Sequence, residues 1–152
     1  QAQGELKSIE TAVKAYYSDY GKLPTSTGNG NANDWSLGGL GGYANNYELM
    51  NILRSIDGPD NASYAVNPRH TVYLEIPQDS LSTNASLAEK SFMDPWGQQY
   101  EITMDTGFDN VCNDLKGGYP DVTNRIVVIW SRGPNGVADP PPNNVDDVRS
   151  WE

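Results

Sequence analysis

The sequence holds little of what most enzyme chemistry needs. It contains one cysteine, Cys112, and one histidine, His70, in 152 residues. A single cysteine cannot close an internal disulfide, so the chain has no disulfide framework of its own. Cys112 reads as a buried structural thiol, because a thiol nucleophile needs a base nearby and His70 lies about forty residues upstream. His70 sits beside Arg69 in a proline-bounded loop and reads as a surface residue. The sequence has no Cys/His metal spacing, no phosphate-binding glycine loop and no Gly-x-Ser-x-Gly elbow. These absences argue against an enzyme.

Basic residues are also scarce. Ten Lys and Arg stand against twenty Asp and Glu, a net charge of −10. A nucleic-acid binder needs a basic footprint to neutralise phosphates, and this chain lacks one. The same balance argues against anionic lipid. It suits solubility in an exposed compartment, or sites for hard cations. No apolar run approaches membrane-spanning length, and no signal peptide is present. The chain opens on Gln1-Ala2-Gln3-Gly4 without an initiator Met, so it reads as a processed or trimmed product. A membrane segment in the native protein is therefore not excluded.

What is present fits one domain over residues 1–152, long enough to bury a core without disulfides. Hydrophobic content is low at 37%, and 15 Gly with 10 Pro point to much loop. Four Trp and nine Tyr compensate, since each buries a large area while keeping a polar handle.

Leu6, Ile9, Val13, Tyr16, Tyr17 and Tyr20 recur at three- and four-residue steps, which predicts an amphipathic helix over residues 5–20. Gly21 and then Pro24 stop it. No capping residue precedes Glu5, which fits a helix that continues upstream. Val13, Tyr16 and Tyr17 are expected to be buried, and residues 5–9 to be exposed or frayed. Residues 25–46 read as a long irregular loop pinned by Trp35, Leu37, Leu40 and Tyr43. A short helix is predicted from about Asn46 to Ile56, with Leu49, Ile52, Leu53 and Ile56 on one face. Strands are predicted at Val72–Ile76, Tyr100–Met104 and Arg125–Trp130, with Pro140-Pro141-Pro142 stiffening a looped C-terminus. Helices first and strands after is an α+β order.

Three segments resemble one known family. Ile9 to Tyr17 leading into Asp19-Tyr20-Gly21-Lys22-Leu23-Pro24-Thr25 is similar to the helix end of major pseudopilins. Asp94-Pro95-Trp96-Gly97-Gln98-Gln99-Tyr100 is similar to that family's Asp-Pro-Trp-Gly-x-x-Tyr segment. Ile129 to Gly136, with Asp146-Asp147-Val148-Arg149-Ser150-Trp151, resembles its C-terminal loop and ending. Asn135 stands where the family usually has Asp, Tyr20 replaces a common Asn, and Ala138–Asn144 is an insert.

The resemblance implies a pilin-like fold and a structural subunit of a type II secretion pseudopilus. It implies an apolar N-terminal helix held in the inner membrane, processed by a prepilin peptidase, with methylation. Copies would assemble with other pseudopilins and with inner-membrane secretion components into a periplasmic fibre that assists protein export. A type IV pilin or minor pseudopilin shares the architecture. A calcium-dependent extracellular binding module, taking sugar on Trp35 or Trp96, is the alternative from another class.

Ser131, Asn135, Asp139, Asp146 and Asp147 supply oxygens in one turn-rich stretch, and calcium takes six to eight such donors. From residue types alone the stretch reads as a solvated acidic loop without an ion; the resemblance instead implies a calcium there, with Asp146 and Asp147 as side-chain ligands, Asn135 a neutral one, and carbonyls near Trp130 to Gly133 completing the shell. Asp105, Asp109, Asp114 and Asp121 lack the spacing of an EF-hand and read as solvated turns. In Asp94-Pro95-Trp96-Gly97, Asp and Pro start a turn, Trp96 is expected to fill the core, and Gly97 allows the tight geometry. Asn61-Ala62-Ser63 and Asn84-Ala85-Ser86 match a glycosylation pattern that is frequent by chance.

Overall fold

The computed structural model describes residues 2–25, 34–38, 45–58, 61–83, 90–112, 121–134 and 148–150. Helix α1 spans Ala2–Tyr20 and buries Leu6, Ile9, Ala12, Val13 and Tyr16 along one stripe. Tyr17 is half-buried. The helix ends as its sequence dictates: Gly21 adopts φ 70 and donates its N–H to the Tyr17 carbonyl at 2.8 Å. Leu23 then turns fully into the core.

The first turns of α1 are not frayed, contrary to the sequence expectation. Leu6 and Ile9 are as buried as Val13. Polar bonds from distant segments fasten this end. Glu5 accepts hydrogen bonds from the Tyr100 hydroxyl at 2.5 Å and from Ser80 Oγ at 3.1 Å. Burial, followed by that bond to Glu5, pushes the Tyr100 phenol far above its ordinary value, so it stays a donor.

Among the described residues, the sheet under the helix has four antiparallel strands in the order β1 (Trp35–Leu37), β2 (Glu101–Met104), β5 (Val127–Ser131), β6 (Val148–Arg149). A separate hairpin pairs β3 (Val111–Cys112) with β4 (Val122–Thr123). In the central pair, Ile102 lies opposite Ile129 and Met104 opposite Val127. All four join the helix stripe in one hydrophobic cluster. At roughly 1.5–3 kcal/mol per fully buried large apolar side chain, this helix-on-sheet contact dominates the stability of the fold.

The alternate residues of β2 and β5 are buried too. Ser36 and Thr103 bond each other at 2.9 Å, and Glu101 faces the Arg132 guanidinium at 3.8 Å. Gly38, at φ +127, passes so close to β2 that a Cβ there would lie 2.8 Å from the Glu101 Cα. No other residue fits that crossing. The α+β layout of an N-terminal helix on a small antiparallel sheet is thus present, as the pilin-like resemblance implies.

Two predicted elements differ. The stretch read as one loop over residues 25–46 contains β1, whose Leu37 is buried and whose Trp35 packs on the cluster. Leu40 and Tyr43 lie outside the described residues. The strand predicted at Val72–Ile76 is absent. That segment instead follows helix α2 (Tyr47–Leu53), with Tyr73 N and Leu74 N both donating to the Leu53 carbonyl at 2.8 and 3.2 Å. Its β-branched composition suits a strand, but its amides are spent on a helix end rather than a ladder.

Buried asparagines hold this middle region. Asn46 donates to the Phe92 and Tyr100 carbonyls at 2.9 and 3.1 Å and accepts from Phe92 N at 2.8 Å. Asn61 Oδ1 accepts from Val66 N and Asn67 N, and its amide donates to the Ile56 carbonyl at 3.0 Å. Asn67 donates to the Ile52 and Thr71 carbonyls and accepts from the Tyr20 hydroxyl. Asn61 is fully buried, so its match to the glycosylation tripeptide has no exposed acceptor.

Candidate functional site

Two of the resembling segments meet in space. Asp94 is buried and organises the turn that follows it. Its Oδ1 accepts from Trp96 N at 3.0 Å and Gln98 N at 2.9 Å, while its own N–H donates to the Gln98 carbonyl at 2.7 Å. Gly97, at φ +89, permits the tight return. The second oxygen of Asp94 accepts from Ser131 Oγ at 2.7 Å. Ser131 Oγ in turn accepts from Gly133 N at 3.1 Å. The Asp-Pro-Trp-Gly turn is therefore tied to the end of β5, where the C-terminal loop begins.

This placement bears on one of the residues predicted to hold calcium, Ser131. Ser131 is buried, and its hydroxyl serves Asp94 and Gly133. Asn135, Asp139, Asp146 and Asp147 lie outside the described residues.

The turn also corrects the reading of Trp96. It does not fill the core; it is 40% exposed. The Asp94 bonds close the turn underneath and project its middle residues outward.

Of the acidic stretch read as solvated turns, Asp109 is exposed as expected, but Asp105 is buried. One carboxylate oxygen each from Asp34, Asp105 and Asp109 lies within 4.8 Å of the others. Asp34 and Asp105 are buried, and Asp109 is exposed. Burial raises the Asp105 carboxyl above its ordinary value, and its hydrogen bond to Asp109 raises it further. Bonds from Asn110 N and Asp109 N oppose that shift. Such a group can share a proton or hold a cation. Sequence spacing could not reveal it, because Asp34 joins from β1's approach. Asp121 is exposed, as expected of a solvated turn, and Asp114 lies outside the described residues.

Cys112 is fully buried, its thiol directed at the Arg125 carbonyl at 3.3 Å and the Thr103 carbonyl at 3.8 Å. Burial, then the nearby Asp34, Asp105 and Asp109, push it up to about 12. A thiol held protonated is no nucleophile. His70 is exposed and stacks on Tyr64 with ring centres 3.8 Å apart.

One further surface has a built character. A groove of about 600 Å³ runs between α1 and β5, lined by Lys14, Tyr17, Thr123, Asn124, Arg125, Ile126 and Val127. Beside it Glu10 is buried among three cations: Lys7 and Lys14 at 3.8 Å and Arg125 at 3.6 Å. No helix among the described residues is long and apolar enough to cross a membrane. No family model, curated protein or solved structure matches the chain.

Proposed function

We propose that the chain is the head of a pilin-like structural subunit, of the kind found in the type II secretion pseudopilus. The observation that carries this reading is the bond from Ser131 to Asp94. It joins two of the three resembling segments on a helix-and-antiparallel-sheet frame whose first helix bears the third. The subunit works by assembly with copies of itself and with inner-membrane secretion components, on the periplasmic face of the inner membrane. Its working parts are surfaces, not a catalytic set, so His70→Ala leaves assembly intact.

The reading requires about twenty apolar residues upstream of Gln1, behind a short basic leader ending in Gly. Sequencing the gene upstream tests it, and an ordinary cleavable signal in that place would overturn it. Exposed Trp96 is the observation on the side of the sugar-binding alternative, which expects such a signal.

Calcium belongs to the same proposal. Asp146 and Asp147 repel each other in a chain at −10. A divalent cation relieves that repulsion and clamps the tail beside the loop after β5, with Asn135 as a neutral donor. Binding to the folded form alone stabilises by roughly 2.7 kcal/mol when free calcium is a hundredfold above its dissociation constant. Calcium is expected to raise Tm, magnesium much less, and Asp147→Ala to abolish the response. A calorimetric titration without heat or thermal shift sinks the calcium site.

A further inference from the structure

We infer that Trp96 of one copy seats in the groove between α1 and β5 of the next, so that heads join end to end along the β5 direction. The inference deepens the fibre reading and rests on it for the identity of the occupant, a second copy of this chain.

The knob and the groove sit at opposite ends of one strand. β5 runs Val127–Ser131; the groove is lined by Thr123–Val127 at its start, and Ser131 at its end bonds the Asp94 turn that carries Trp96. A patch at one end that fits a different patch at the other gives a heterologous contact, and such contacts propagate into rings or filaments.

Trp96 has the properties of an anchor. The residue is 40% exposed, while its backbone is fixed by the bond from its N–H to Asp94. An aromatic side chain on a rigid turn loses little freedom on docking. Tryptophan also dominates the energetics of protein contacts when it enters a pocket.

The groove has the complementary chemistry. Tyr17, Ile126 and Val127 supply apolar surface, and Lys14 and Arg125 stand among it. Phe108, 46% exposed and with its ring centre 6.4 Å from that of Tyr17, adds aromatic surface nearby. Three cations share the single Glu10 carboxylate at ion-pair range on the α1 side of the groove, while Asp105, whose N–H bonds the Ile126 carbonyl at 2.9 Å, and Asp109 border it on the other side. A guanidinium or ammonium group pairs best with the face of an indole. Beside the Trp96 turn, a hollow is lined by Asp79, an exposed carboxylate that pairs with Lys14 or Arg125 as the indole enters.

The test mixes two defective proteins with the intact chain. Trp96→Ala loses the knob and keeps the groove. The double variant Lys14→Gln/Arg125→Gln does the reverse. Isotope-labelled W96A with unlabelled wild type is expected to show shifts at the Lys14, Tyr17, Asn124 and Arg125 amides. The labelled double variant with wild type is expected to show a shift at the Trp96 indole. Each variant alone associates about tenfold or more weakly than wild type, and Trp96→Phe recovers part of the loss. Cooperative unfolding transitions and dispersed spectra establish that both variants fold, with a lower melting temperature for the double variant, which leaves buried Glu10 with Lys7 alone. Wild type with no concentration-dependent shift at either place overturns the contact, as does full association by W96A alone. A Trp96 indole that moves with cello- or chito-oligosaccharides and not with protein overturns it in favour of sugar. Fibres formed in cells by full-length protein carrying W96A, as well as by wild type, overturn the contact and leave the fibre reading standing. Amide shifts present in solution with no fibre from wild type uphold the contact and remove the fibre reading.

Discussion

Where α1 lies on β2 and β5, the contact is hydrocarbon: Leu6, Ile9, Val13 and Tyr16 against Ile102, Met104, Val127 and Ile129. Between Asn46 and Thr71 the organising side chains are amides, each spending its donors and acceptor on several backbone groups. The first region tolerates a change of shape if volume is kept. The second tolerates little, because an amide that bonds four separate backbone or hydroxyl groups has no substitute of the same reach. A small head with little hydrocarbon has organised a loop-rich region by turning asparagine into a cross-link without a covalent bond.

The largest expected effect that separates the two regions is at Val13. Val13→Asp places an unpaired carboxylate against Ile102 and Ile129's cluster and unfolds the whole head, by about 3–5 kcal/mol or more. A well-dispersed, stable V13D spectrum breaks the comparison. Asn67→Ala comes next. It strands the Ile52 and Thr71 carbonyls and the Tyr20 hydroxyl, at about 1–3 kcal/mol for a buried group left without its bond. Hydrogen exchange checks it: amides of residues 61–74 are expected to lose protection while those of β2 and β5 keep theirs. Equal losses in both regions mean the asparagines serve the whole fold and not the middle alone.

The smallest effect is at Asp109. Because the folded Asp105 carboxyl titrates above its ordinary value, the unfolded chain holds fewer protons than the folded one just above pH 4. Its contribution to stability is therefore full below the unfolded value and falls as pH rises through the folded value. Asp109→Asn removes the neighbouring charge and lends a donor. It is expected to raise stability at neutral pH by about 1 kcal/mol and to make shallower the limb along which stability falls as pH rises from about 4. A steeper limb means that Asp109 assists Asp105 rather than opposing it.

The hydrophobic stripe of α1, its stop at Gly21, and strands β2 and β5 were legible because periods of 3.6 and 2 are written directly in residue spacing. β1 was not, since three residues in a Gly- and Asn-rich stretch become a strand only when β2 offers an edge. Val72–Ile76 misled for the converse reason: strand composition without a partner. The Asp94 turn was read correctly from Asp, Pro and Gly, yet Trp96 was expected inside. Turn chemistry fixes the backbone path but not which side of it faces water. At the candidate site, Ser131 was picked out by its oxygen, but nothing local shows that this oxygen belongs to Asp94, thirty-seven residues away. The asparagine cross-links were missed entirely, because Asn in a sequence signals turns far more often than cores.

Cys112 gives the molecule a clock. Its sulfur is fully covered and held as a thiol by the groups around it. Reagent reaches it only when this corner, where the sulfur lies on the Thr103 and Arg125 carbonyls, opens. The rate of thiol modification in native buffer, against the rate for a small free thiol, therefore measures how often that corner opens. Cysteines placed on the surface for cross-linking react long before it does, so the natural thiol can stay in the chain while interfaces are mapped.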